Sequence, residues 1–181
     1  MEKIKTKFKN LFILKSKKFF DNRGYLREIF KKKILNKKFI FDYYSLSKKN
    51  TLRGLHFQKN NQQDKLIIVL KGEIIDYCLD LRNNSKTFLK IYKKTLSSKN
   101  GMSLYVPAGF AHGFIAKGKE NIVLYKNTSM RSKKDEMGID FFDNKLNLKL
   151  NKKKYIISSK DKKNLSLNSF LKKYKYLWKK Y

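Results

Sequence analysis

A chain of 181 residues is long enough for one domain with a sizeable core, with at most a short appendage. A Lys or Asp interrupts every apolar run before the roughly 18 to 20 residues a membrane-spanning helix needs, and the basic start MEKIKTKFKN lacks the apolar stretch of a secretory signal, so a cytoplasmic protein without membrane contact is expected. The formal charge of +31 would suit a nucleic-acid partner, but arginine occurs only at Arg23, Arg27, Arg53, Arg82 and Arg131, and the lysines are spread along the whole chain; no nucleic-acid function is expected, only a positive potential that draws anionic small molecules to a cleft.

From Leu11 to Asn127 short runs rich in Ile, Val, Leu, Phe and Tyr alternate with Gly, Asn, Asp or Ser, which is a strand pattern. In order they are LFIL, FIFDYY, KLIIVL, EIIDYCLDL, SLYVP and NIVLYKN. KLIIVL and EIIDYCLDL read as two strands joined by a tight turn at Gly72. With Pro107 as the one internal breaker, this spacing predicts an all-β sandwich or barrel of jelly-roll type, its core over about residues 11–150. Lys152 to Lys154 read as solvated loop. Leu165, Leu167, Phe170, Leu171, Tyr174, Leu177 and Trp178 approximate one helix face and predict a C-terminal helix, within a helical segment of about 160–181, docked on the barrel or on a neighbouring subunit. The single cysteine, Cys78, has no disulfide partner and no Cys/His cluster beside it, so it reads as a buried small residue.

The two histidines are the natural place to look for chemistry. His56 lies in TLRGLHFQ and His112 in YVPAGFAHGF, and both read as residues of Gly-flanked turns beside strands. The spacing of Gly101, Pro107, Gly109 and His112 resembles the second motif of the cupin superfamily, with Ala116 where that motif ends in Asn. Metal-binding cupins supply two histidines and a carboxylate from the first motif. Here that motif offers His56-Phe57-Gln58, with Lys65 directed at the same region, so a barrel without metal or other cofactor is expected.

RGLHFQ, then QDK, then PAGFAHGF, together with FFDNRGYLREIF and SSKD, make the chain similar to the dTDP-4-dehydrorhamnose 3,5-epimerase family over nearly its whole length. The resemblance implies a cupin-type barrel acting on a nucleotide-linked 4-keto-6-deoxysugar. It implies His56 as the base, Asp161 as the carboxylate that orients it, Lys65 beside the ketone oxygen and Tyr125 as the acid on the opposite side of the sugar. Arg23, Glu28, Arg53, His112, Glu136 and Lys160 fall on positions that contact substrate in the family. Arg23 and Glu28 belong to a segment that crosses to the neighbouring subunit in relatives, which implies a homodimer. Two recognition positions depart from the family: Phe41-Asp42-Tyr43 stands where many members carry Gln-x-Asn, and Arg131 where an aromatic residue stacks on thymine. The nucleotide, the sugar and the number of inverted centres therefore stay open. A relative that inverts one centre and a non-catalytic sugar-nucleotide-binding cupin remain as alternatives.

Overall fold

Alternation of side chains along the strands builds the molecule, because each strand buries one row of residues between two facing sheets and turns the other row outward. The computed structural model describes residues 1–174. One sheet contains β1 (Glu2–Lys5), β2 (Phe12–Lys15), β10 (Met102–Val106), β7 (Lys65–Lys71), β12 (Glu120–Asn127) and β5 (Phe41–Lys48), in that spatial order. The facing sheet runs β13 (Glu136–Gly138), β6 (Thr51–Gln58), β11 (Phe110–Ala116), β8 (Glu73–Asp80) and β9 (Ile91–Ser97), with β14 (Ile156–Ile157) parallel to β6. The remaining ladders are antiparallel, giving the jelly-roll arrangement expected. A separate hairpin of β3 (Lys18–Asp21) and β4 (Gly24–Arg27) pairs with neither sheet.

Ile67, Val69, Ile74, Cys78, Leu104, Phe110, Phe114, Val123 and Tyr125 meet between the sheets, so Cys78 is the buried residue expected. Leu52, Leu55, Tyr77, Leu79, Ala111 and Ile115 face the other way, beneath Ile139, Phe141 and the helix α1 (Leu167–Tyr174), whose Leu167 and Phe170 are buried. Helix docking on the barrel thus agrees with the reading of the apolar stripe. Leu165 precedes the helix and bridges to Ile139, while Leu177 and Trp178 lie outside the described residues. The Lys152–Lys154 segment forms one exposed 3₁₀ turn. Among the described residues no helix is long and apolar enough to cross a membrane.

Two local readings need correction. Gly72 does turn the chain, with φ of +79°, but β7 and β8 do not pair with each other. Both edges of β7 are occupied by β10 and β12, so the turn carries the chain across to the other sheet. The histidines, in turn, are not in turns: His56 lies within β6 and His112 within β11, paired Cα to Cα. Their flanking glycines serve close strand approach. A Cβ on Gly54, at φ +111°, would stand 2.6 Å from the Cα of Gly113 and 2.7 Å from the His112 carbonyl oxygen. Only glycine lets β6 and β11 close at the point where both histidines enter the barrel.

Candidate active site

The inward rows of five strands converge on one cleft of about 320 Å³. β6 contributes Arg53 and His56, β7 Lys65, β11 His112, β12 Tyr125, and the edge strand β5 Phe41, Tyr43 and Ser45; Arg131 and Glu136 complete the wall. His56 and Tyr125 come from opposite sheets, so they address the cleft from its two sides.

Asp161 stands behind His56. β14 runs along the start of β6, with Ile156 opposite Thr51, and the chain then turns at Asp161–Lys163 so that the carboxylate reaches the imidazole. His56 Nε2 lies 2.5 Å from Asp161 Oδ1, and the Gly54 N–H points at Oδ2 from 3.5 Å. Asp161 exposes 5% of its side chain and His56 24%, so the acid is sealed in and the imidazole faces the cleft. Burial pushes the Asp161 carboxyl up, but the His56 hydrogen bond and charge, with help from Gly54 and Ser158, outweigh it and hold the group below its usual range. An ionised Asp161 accepts Nε2–H and leaves the Nδ1 lone pair as the basic atom.

A second histidine–carboxylate pair lies deeper. His112 Nε2 is 2.7 Å from Asp76 Oδ2, both groups buried. Cys78 Sγ donates to Asp76 Oδ1 over 3.5 Å, and burial followed by Asp76 raises that thiol well above its ordinary value, so it stays protonated. Among the described residues Asp76, Cys78 and His112 are the one trio of His, Cys or acid side chains whose donor atoms fall within 4.8 Å. The His112 imidazole is already engaged by Asp76, and the Lys65 cation acts on the same carboxylate and thiol, so the cluster brings its own positive charge.

At the outer end Arg53 donates from Nε to Ser47 Oγ at 3.0 Å and from Nη2 to the Leu46 carbonyl at 3.2 Å, which lays its guanidinium along the wall. Arg131 donates from Nε and Nη2 to Glu136 Oε2 at 3.1 and 2.7 Å, and Lys160 Nζ reaches the same oxygen at 2.8 Å. Desolvation raises the Glu136 carboxyl, yet Lys160 and Arg131 bring it down to about 2. The anion is thereby fixed as a bracket for two cations.

A profile of the family described as dTDP-4-dehydrorhamnose 3,5-epimerase matches residues 5–169. This chain belongs to that family. The dTDP-4-dehydrorhamnose 3,5-epimerase of Shigella flexneri is 36% identical over 168 residues, 89% of this chain and 93% of the relative; that of Methanothermobacter thermautotrophicus is 39% identical over 145 residues, 77% and 78%. The Bacillus anthracis epimerase, solved with TDP and PPi bound, superposes with a TM-score of 0.87 at 37% identity, covering 92% of this chain and 99% of that one. The Legionella pneumophila enzyme in complex with dTDP-4-keto-L-rhamnose gives a TM-score of 0.86 at 33% identity over 92% and 93%. The cupin-type jelly roll of the epimerases is therefore the fold of this chain.

Of the epimerase-type residues singled out in the sequence, His56, Lys65, Tyr125, Arg53, His112, Arg131 and Glu136 line the cleft; Asp161 and Lys160 stand one contact behind it. Arg23 and Glu28 are not brought to it within the chain. Arg23, 85% exposed, pairs with Asp21 on the free hairpin, and Glu28 pairs with Lys31. Sequence reasoning passed over Asp76, although an acid in the row that buries Ile74 and Cys78 was a readable signal.

Proposed function

We propose that the protein epimerises dTDP-4-dehydro-6-deoxy-D-glucose to dTDP-4-dehydro-L-rhamnose at carbons 3 and 5 without metal or other cofactor, as a cytoplasmic homodimer of single-domain chains. The observation that carries this reading is the placement of an oriented base, His56, and a phenol, Tyr125, on facing sheets around one lysine. His56 Nδ1 takes the proton from a carbon beside the ketone, and Asp161 stabilises the imidazolium that forms. The electron pair moves onto the ketone oxygen, where the Lys65 ammonium meets the charge as it develops. Tyr125 then returns a proton to the opposite face of that carbon, inverting it; its phenolate is reprotonated from solvent, and His56 gives up the proton it took to solvent, so both groups return to their starting states. Burial, with Tyr43 second, raises the Tyr125 phenol, so it rests protonated as an acid must.

Arg53 offers a planar fork to the pyrophosphate, and Arg131 presents a flat cation to the nucleotide end, with Glu136, Lys160 and His112 supporting the bound molecule. The dimer reading draws on apolar surface: Phe20 is 73% and Leu26 64% exposed on the free hairpin, and Tyr44 69% and Leu46 56% on the outward row of β5. A partner chain covering these faces would receive the hairpin and bring Arg23 and Glu28 to its own cleft.

The test is incubation of exhaustively chelated protein with the dTDP-keto-sugar in deuterated water, followed by NMR of the recovered sugar. Inversion and solvent deuterium at both carbons are expected. Turnover that disappears on chelation and returns with one divalent ion would defeat the cofactor-free reading. Inversion at one carbon would make the protein a single-centre epimerase, and absence of any deuterium would make it a binding protein.

A further inference from the structure

The ring of Tyr125 is held from two directions. Tyr43 lies directly opposite it in the β5–β12 ladder, and the two rings stack with centroids 4.6 Å apart and planes 15° from parallel. His112, itself tied to Asp76, meets the same ring edge-on at 6.3 Å and 77°. Phe41 backs Tyr43 at 5.4 Å and 39°, so the inward row of the edge strand is an aromatic ladder ending on Tyr125. Tyr43 is 37% exposed while Tyr125 is only 6% exposed, so the stack covers Tyr125 from the cleft mouth.

A proton donor that inverts a carbon has to deliver along one direction. The enolate is planar, and a phenol that swings by a few tenths of an ångström loses the approach while His56 still holds the proton it removed. A tyrosine that lines a cleft has open space on one side into which its ring can turn about χ1 and χ2. The face-on partner removes that room.

We propose that Tyr43 is a positioning residue for the reprotonation step, acting through its stack on Tyr125 and not through its hydroxyl. This rests on the epimerase reading and assigns a task to a position where the chain departs from its relatives. Burial pushes the Tyr43 phenol up to about 12, with Arg131, Glu136 and Arg53 also acting on it, so the hydroxyl stays neutral throughout the working range. Exchange of the substrate proton needs only His56, Asp161 and Lys65. Inversion additionally needs Tyr125 pointed at the far face. Loosening Tyr43 should therefore separate the two.

The experiment compares wild type, Tyr43→Phe and Tyr43→Leu with the dTDP-keto-sugar in deuterated water at early times, reading by NMR the inverted fraction per deuterium incorporated. Wild type should give a ratio near one. Tyr43→Phe keeps the stack and should keep that ratio, whatever its turnover. Tyr43→Leu should lower it several-fold, to about tenfold at most given what an aromatic pair is worth. Equal falls in exchange and inversion for Tyr43→Leu would overturn the inference, because a merely structural residue slows both. A lowered ratio in Tyr43→Phe would overturn it too, since the hydroxyl would then be the active part. A wild type that neither exchanges nor inverts would strike the epimerase reading itself, whereas a normal wild type with an unchanged Tyr43→Leu ratio would strike only the role of Tyr43.

Discussion

His56→Asn loses epimerisation and solvent exchange together, by about 100-fold or more, while retaining affinity for dTDP. The hydrogen next to a ketone is a weak acid, and a positioned general base is worth on the order of 100- to 10,000-fold in its removal. Asparagine is smaller than imidazole and its amide stops short of the Nε2 position, so Asp161 loses its imidazole partner but keeps the Gly54 N–H, and the barrel keeps its packing. What disappears is a basic atom facing the cleft. Arg53 keeps its bond to Ser47 and Arg131 keeps its pair with Glu136, which is why nucleotide binding should survive. Deuterium wash-in and calorimetric titration with dTDP check the two halves separately. Near-normal wash-in would remove His56 from the role of base.

Lys65→Met should cost about 100- to 1,000-fold in turnover, the range seen when one preorganised group facing a developing oxyanion is removed. The lysine also sets the alkaline limb. Desolvation lowers its ammonium from 10.5 to about 8, with Glu136 opposing the shift. The electrophile is charged below that value and neutral above it, so kcat/KM falls as pH rises through about 8. Folding moves the other way. A lysine whose pKa is depressed in the folded state costs stability while charged, and that cost fades as pH climbs from about 8 toward the unfolded value near 10.4. Loss of activity over this window therefore cannot be unfolding driven by Lys65. Lys65→Arg keeps its charge far above pH 9, so whatever turnover it retains should lack the limb near pH 8. A limb unmoved in that variant would assign the titration elsewhere.

Strands were legible because their chemistry is local: KLIIVL, EIIDYCLDL and NIVLYKN each contain a buried row, and each forms a strand. Pairing was not legible, because it depends on which edges are already taken; Gly72 looks the same whether it closes a hairpin or passes the chain between sheets. Gly54 and Gly113 misled for a related reason. A glycine that opens space for a neighbouring strand is indistinguishable in sequence from one that turns. His56 and Lys65 could be suspected from residue type and context, and His56 with Asp161 form a contact over 105 positions that no local pattern announces. Tyr125 came from family resemblance alone, since nothing in its strand separates it from Tyr105, which folds onto the outer face of the same sheet. Asp76 was overlooked because a single acid in a strand is usually read as solvent-facing, whereas here alternation places it inside. That Phe41 and Tyr43 form a ladder on Tyr125 needed the register of β5 against β12.

In the proposed mechanism, removal and return of the proton happen on opposite faces through different residues. Tyr125→Phe tests it most directly, with the dTDP-keto-sugar in deuterated water sampled at early times and analysed by NMR for deuterium and configuration at carbons 3 and 5. His56, Asp161 and Lys65 remain, so the enolate still forms, and His56 returns the proton to the face it came from. Label is expected at the carbons flanking the ketone with the starting configuration retained, where wild type couples label to inversion. Exchange and inversion falling in equal measure, or neither falling, would contradict it.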